Sequence, residues 1–230
     1  MSFTGDEWTA ISLSLRIAFV AMLVSLPFAI WIAYILARKD FWGRSLVNGL
    51  VHLPLVLPPV VTGYLLLISF GRRGPIGSVL ESCCGIVLSF RWTGAVLAAA
   101  IMAFPLIVRA IRLSLEAVDP KTEAAASTLG ASPLMVFLTI TLPLSATGIL
   151  AGAILGFAKA LGEFGATITF VSNIPGETQT IASAIYGYTQ TPGGEAGTWR
   201  LMIISIIIAM VALLLSELCA RRISRRGLDL

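Results

Sequence analysis

The chain has 230 residues, 57% of them hydrophobic and only 12% charged, with a mean hydropathy of +0.92. A soluble domain carries roughly 25% charged residues, so a water-soluble globule is excluded. The net charge of +4 is small, and the informative quantity is where the sixteen Lys and Arg lie along the chain.

A helix needs about 20 apolar residues to cross a hydrocarbon core about 30 Å thick. Met1–Thr9 carries Asp6 and Glu7 and no basic start, so the apolar stretch after it reads as a retained span, not a cleaved signal. Ile17–Ala37, between Arg16 and Arg38, is the first span. Leu46–Phe70 is the second, and its only titratable group, His52, has no Ser, Cys or carboxylate neighbour and is expected to be a satisfied helix-end residue. Pro54, Pro58 and Pro59 within it predict a broken helix, either of the kind that lines transport pathways or a kinked packing helix. Trp92–Val108, between Arg91 and Arg109, is the third span, and Pro27, Pro105 and Pro143 interrupt other apolar stretches.

The segment 116–135 has a plan of its own. Asp119 caps a helix beginning at Pro120, Gly130 ends it in the left-handed conformation, and Ser132-Pro133 opens a second helix that runs until Pro143 interrupts it. The result is a short Ala-rich helix between two bends, suited to docking in a groove of a partner; an ordinary interfacial helix-turn is the plainer alternative. The block Ala124–Ala158 is 35 residues without a charge, too long for one span, so it contains this element as well as the fourth span. Gly148, Gly152, Gly156 and Ala160 recur every four residues and mark a face for close helix approach. Lys159 and Glu163 follow on one face, about 33 Å along a straight helix from Phe137, which places them at the far interface. Phe164–Gly176 reads as a re-entrant or interfacial piece, with a sixth span as the alternative, and Leu201–Ser216 is the last span.

With the N-terminus outside, ten cations (Arg38, Lys39, Arg44, Arg109, Arg112, Lys121, Arg221, Arg222, Arg225 and Arg226) fall inside and four (Arg72, Arg73, Arg91 and Arg200) outside. That bias predicts an N-out, C-in, all-α polytopic bundle of five spans forming a single transmembrane domain over residues 1–230. Arg109, Arg112 and the Arg221–Arg226 cluster read as anchors to lipid phosphates, and Glu217 with Arg221 as an i,i+4 pair. Cys83, Cys84 and Cys219 have no C-x-x-C or Cys/His spacing, so neither a disulfide framework nor a metal site is expected. Gly71-Arg-Arg-Gly-Pro-Ile-Gly77 lacks the Lys and hydroxyl of a phosphate loop, neither H-E-x-x-H nor G-x-S-x-G occurs, and no basic patch is interleaved with aromatics. A nucleotide-binding subunit, a membrane hydrolase and a nucleic-acid binder therefore have no support.

Ala124-Ala-Ala-Ser-Thr-Leu-Gly130, with Ile140-Thr-Leu-Pro143 nine residues on, is similar to the E-A-A-x3-G-x9-I-x-L-P loop of the permease subunits of binding-protein-dependent ABC importers. Ala124 stands at the motif's glutamate position, with Glu123 one place earlier. His52–Tyr64, Gly71–Gly74, Leu161–Glu177, Gln190–Gly194 and the length narrow the resemblance to the molybdate permeases of that family. The resemblance implies molybdate import by alternating access in the cytoplasmic membrane, without a cofactor. It implies a homodimer of permease chains, two ABC ATPase subunits and an extracytoplasmic oxyanion-binding protein. Glu123, Ala124, Ala125, Ala126, Leu129, Gly130, Ala131 and Ser132 would form the helix that contacts the ATPase. Thr62, Tyr64, Lys159, Glu163, Thr167 and Thr169 are the candidate path or gate residues. Lys159 would attract the oxyanion and Glu163 orient it, unless the two only neutralise one another. Arg72, Arg73 and Arg91 would draw in a dianion, meet an acidic patch on the delivery protein, or simply be solvated. The alternatives are the same machine carrying sulfate, thiosulfate or tungstate, and an ion-gradient-driven secondary transporter.

Overall fold

The computed structural model describes residues 3–226, with side chains described through Leu215 and at Leu218. The Glu217–Arg221 pair, Cys219 and the Arg221–Arg226 cluster lie outside the described side chains. The helices in chain order are α1 (Gly5–Arg38), α2 (Arg44–Val56), α3 (Pro59–Phe70), α4 (Pro75–Cys84), α5 (Trp92–Ala117), α6 (Pro120–Thr128), α7 (Pro133–Val136), a π-helical turn (Phe137–Thr141), α8 (Leu142–Leu144), α9 (Ala146–Leu161), α10 (Gly165–Val171), α11 (Ile181–Thr189) and α12 (Glu195–Arg226). Three helices, α1, α5 and α12, are long and apolar enough to cross a membrane alone, and the bent pairs α2–α3 and α7–α9 bring the number to five. Phe164–Gly176 is no sixth span: α10 has seven residues, about 10 Å of helix.

α1 starts well before the apolar stretch because Thr4 caps it: its hydroxyl accepts the Glu7 N–H at 3.3 Å, and the Glu7 carboxylate accepts the Thr4 N–H at 2.9 Å. One face of α1 is small, with Ala18, Ala21, Ala29 and Ala33 fully buried, and it meets Ala95, Ala98, Ala99 and Ala103 of α5. Further along α5 the buried residues are larger. Ile107 and Ile111 press into the glycine stripe of α9, and Gly148 lies under Ser114. Both pairings let backbones approach closely, which is what holds helices together where lipid competes equally for apolar side chains. α5 is thus the axis of the bundle, while α12 keeps most of its apolar surface exposed.

The proline-rich second span breaks at Pro58-Pro59, not at Pro54, and turns through 112°. The fourth bends by 69° at Ser145. Pro143 causes this indirectly. Its ring would strike the Thr139 carbonyl in a regular helix, and the π-helical turn, closed by the Leu142 N–H onto the Phe137 carbonyl, opens the room. Ser145 then donates its hydroxyl to the Thr141 carbonyl at 2.7 Å and the Leu142 carbonyl at 3.2 Å. His52 lies within α2, with its Nδ1 2.8 Å from the Asn48 carbonyl, and not at a helix end. Arg112 is held by the protein and not left to lipid: it donates to Glu116 at 2.7 Å and to Asn48 Oδ1 at 3.0 Å.

A Cβ on Gly156 would lie 2.5 Å from Cγ1 and Cδ1 of the fully buried Ile107. Gly156→Val is therefore expected to cost about 1–3 kcal/mol of stability. A lowered thermal midpoint in detergent that Ile107→Ala partly restores would confirm it, and an unchanged midpoint would refute the close packing.

Candidate functional site

Two groups of residues singled out by the sequence form sites at different levels of the bundle. At the end where α1 and α5 finish, α6 stands out from the protein and buries none of its side chains. The Asp119 carboxylate accepts the Lys121 N–H at 2.9 Å, and Pro120 takes the first helical position. Gly130 has φ +88°, and the Ala131 N–H reaches back 3.2 Å to the Ala126 carbonyl. The Ser132 hydroxyl accepts the Met135 N–H at 3.4 Å and starts α7. Ala124, Ala125, Gly130 and Ser132 are exposed, as is Leu129 at 89%, while Ala126 and Ala131 are half-buried.

Glu123 is turned the other way, into the bundle. Its Oε1 accepts from Arg38 Nη2 at 2.9 Å and from the Thr141 hydroxyl at 2.8 Å, and the same Nη2 donates to the Val118 carbonyl at 3.0 Å. The glutamate one place out of the motif is therefore the one that fastens α6. Its partners were not evident from sequence: Arg38 reads there as a topological cation, and Thr141 is the variable position of the I-x-L-P signature.

The second group lies at the breaks. Gly162 ends α9, and the Glu163 carboxylate folds back on α10, accepting the Ala166 N–H at 3.0 Å and the Lys159 ammonium at 3.0 Å. The Glu163 side chain is 2% exposed and that of Lys159 31%. The Thr167 hydroxyl donates to the Phe164 carbonyl at 2.9 Å and that of Thr169 to the Gly165 carbonyl at 2.9 Å. α3 runs beside α10, so close that a Cβ on Gly63 would sit 2.5 Å from the Ala166 carbonyl oxygen and one on Gly165 2.6 Å from Pro59. Thr62 is buried there, and among the described residues its hydroxyl has no partner. Lys159, Glu163, Thr167, Thr169 and Thr62 thus surround one junction, while Tyr64 is 57% exposed on the outer side of α3.

The junction lies between α3, α9 and α10, with α5 packed against α10. α10 climbs from Pro59 to Gly94, near the start of α5, and α3 climbs alongside it to Gly71. The seven residues of α10 separate Pro59, and Glu163 with it, from Gly94 by about 10 Å of helix. The straight run of about 33 Å from Phe137 to Lys159 does not exist, because the helix bends by 69° at Ser145.

At the end opposite α6, Arg200 of α12 grips Glu7 of α1 with Nε at 3.0 Å and Nη2 at 2.6 Å from Oε1. The sequence offered no signal linking residues so far apart. Arg91 joins Arg16, Trp92 and Glu177 around one cavity of about 580 Å³, with the Arg16 guanidinium 3.9 Å from the Trp92 ring centre. Arg72 and Arg73 line a separate cavity of about 460 Å³. The arginines of this end are not a single cluster.

Lys159→Met leaves the buried Glu163 carboxylate without its cation. The loss is expected to be about 1–3 kcal/mol, largely relieved when Glu163→Gln is added. Thermal unfolding of the two variants tests this, and equal midpoints would show the pair to be energetically idle.

The family described as the binding-protein-dependent transport system inner membrane component matches residues 25–226. The molybdenum transport system permease protein of Escherichia coli is 61% identical over 221 residues, covering 96% of each chain. That of Haemophilus influenzae is 60% identical over 220 residues, again covering 96% of each chain. Among solved structures, a bacterial ABC transporter that imports the acidic polysaccharide alginate superposes with a TM-score of 0.77 at 18% identity, over 96% of this chain and 80% of that one. With an exposed, doubly capped α6 between five spans and a family match over most of its length, the chain belongs to the binding-protein-dependent transport system inner membrane components.

Proposed function

We propose that this chain is the molybdate-conducting permease subunit of an ATP-driven importer in the cytoplasmic membrane. It would work as two copies with two ATPase subunits and an extracytoplasmic oxyanion-binding protein. The observation that carries the reading is α6: a helix fixed at both ends, exposed along its length and tethered through one inward carboxylate. The near-full-length identity to molybdenum permeases supports the substrate. The α6 end faces the cytoplasm on this reading, because the ends of α1 and α5 bring Arg38, Lys39, Arg44, Arg109, Arg112 and Lys121 there.

ATP binding draws the two ATPase subunits together, and Ala124, Ala125, Leu129, Gly130 and Ser132 of each α6 follow, biasing the permease pair toward one of two arrangements. The path runs between the copies at the level of the helix breaks. There the Lys159 ammonium supplies positive charge to a passing dianion, and Glu163 holds the ammonium and the α10 N-terminus in place. Thr62, Thr167 and Thr169 supply hydroxyls, and Tyr64 faces the second copy.

Reconstituted with its ATPase and the molybdate-loaded binding protein, the chain should take up molybdate only with ATP, with vanadate abolishing uptake and excess sulfate not competing. Gly130→Val places a β-branched residue at φ +88°, a strain of about 1–3 kcal/mol. It should lower uptake while hydrolysis continues. Uptake driven by an ion gradient without ATP would overturn the reading.

A further inference from the structure

α6 meets the rest of the protein in an unusual way. It buries no side chain, and its hydroxyls stay within its own turns: Ser127 donates to the Glu123 carbonyl and Thr128 to the Ala125 carbonyl. On either side the chain bends, at Val118-Asp119 and at Gly130. A displacement of α6 could be absorbed in those bends. What opposes this is one guanidinium. Arg38, whose side chain is 14% exposed, ends α1 and holds two acceptors on Nη2: the carbonyl of Val118, where α5 has just ended, and the carboxylate of Glu123. Through the same carboxylate oxygen Thr141 brings in the π-helical turn, so α1, α5, α6 and the start of the fourth span meet at one charge-assisted node.

The node also has a spare position. Arg38 Nε is buried and, among the described residues, has no acceptor. Nε and Nη2 lie on the same planar group, so a carboxylate moving along it passes from one nitrogen to the next without breaking the ion pair. A lysine, with its compact ammonium, offers no such edge.

We propose that Arg38 is the positioning residue of energy coupling: through Glu123 it makes α6 move as one body with the ends of α1 and α5. The displacement imposed by the ATPase then reaches the spans instead of being lost in the flanking bends. The inference rests on the reading of α6 as the ATPase-docking helix.

The test uses the complete complex in proteoliposomes, with ATP hydrolysed and labelled molybdate taken up measured on the same samples. Arg38→Ala should still co-purify with the ATPase and hydrolyse ATP. The molybdate moved per ATP should fall about tenfold, the equivalent of one lost charge-assisted hydrogen bond. Arg38→Lys should fall between Arg38→Ala and the wild type. The double variant Arg38→Ala/Glu123→Ala should be no worse than Glu123→Ala alone, because that substitution already removes the link to Arg38. A wild-type molybdate-to-ATP ratio in Arg38→Ala would overturn the proposal. So would hydrolysis, uptake and complex yield falling in proportion, which marks a purely structural residue. Glu123→Gln, which keeps a hydrogen bond to Arg38 but removes the ion pair, covers the case in which Arg38→Ala fails to assemble: it should lower the ratio by a smaller factor, and an unchanged ratio would overturn the proposal. If the wild-type complex itself moves no molybdate with ATP, the functional reading has failed; if it does and the variants behave normally, only the role of Arg38 has.

Discussion

Helices surrounded by lipid gain little by exchanging one apolar neighbour for another, so close backbone approach and bonds between polar groups decide where they associate. α5 meets that constraint on two sides. Its alanine face lies on the alanines of α1, and its isoleucines fill the gap left by the α9 glycines. Most of the molecule's tight contact is concentrated on this three-helix layer. Because α1 and α5 run parallel within it, their ends arrive together, which is why Arg38 can reach the Val118 carbonyl and form a foothold for α6.

The breaks follow a second rule of the bilayer, that freed backbone groups must find partners inside the protein. At Ser145 a hydroxyl adds a second hydrogen bond to the Thr141 carbonyl, which already accepts the Ser145 N–H at 3.0 Å, and reaches the Leu142 carbonyl. At Gly162–Gly165 a glutamate caps a short helix, and two threonine hydroxyls return to carbonyls of their own turn. The polar residues along the proposed path are therefore also what permits the backbone to be irregular there. Chemistry and architecture share the same atoms, with the Thr62 hydroxyl left over.

Legibility from sequence divides along these lines. Local rules were readable: Asp119-Pro120, Gly130 and Ser132-Pro133 delimit α6 because capping and left-handed turns depend on neighbouring residues only. The α9 glycine stripe was also visible, as periodicity within one helix. Relations between distant residues were not. Nothing in the chain joins Glu123 to Arg38 or Glu7 to Arg200, since both pairings depend on which helices lie side by side. The distance from Phe137 to Lys159 is not legible by counting rise, which assumes a straight axis, and a proline two residues before Ser145 does not announce a 69° bend. The alanine face of α1 was missed for another reason: in a uniformly apolar helix alanine is inconspicuous, although its size decides the packing.

Among the described residues α6 contributes nothing to the core and turns one charged side chain inward, so between its caps the outward Ala124 and Ala125 carry no packing requirement. On the proposed reading, such a surface can be matched to an ATPase without repacking the bundle, as a key can be recut without touching the lock case. Recognition and anchorage then lie on opposite sides of one short helix, with Glu123 alone of its charged side chains turned to the bundle.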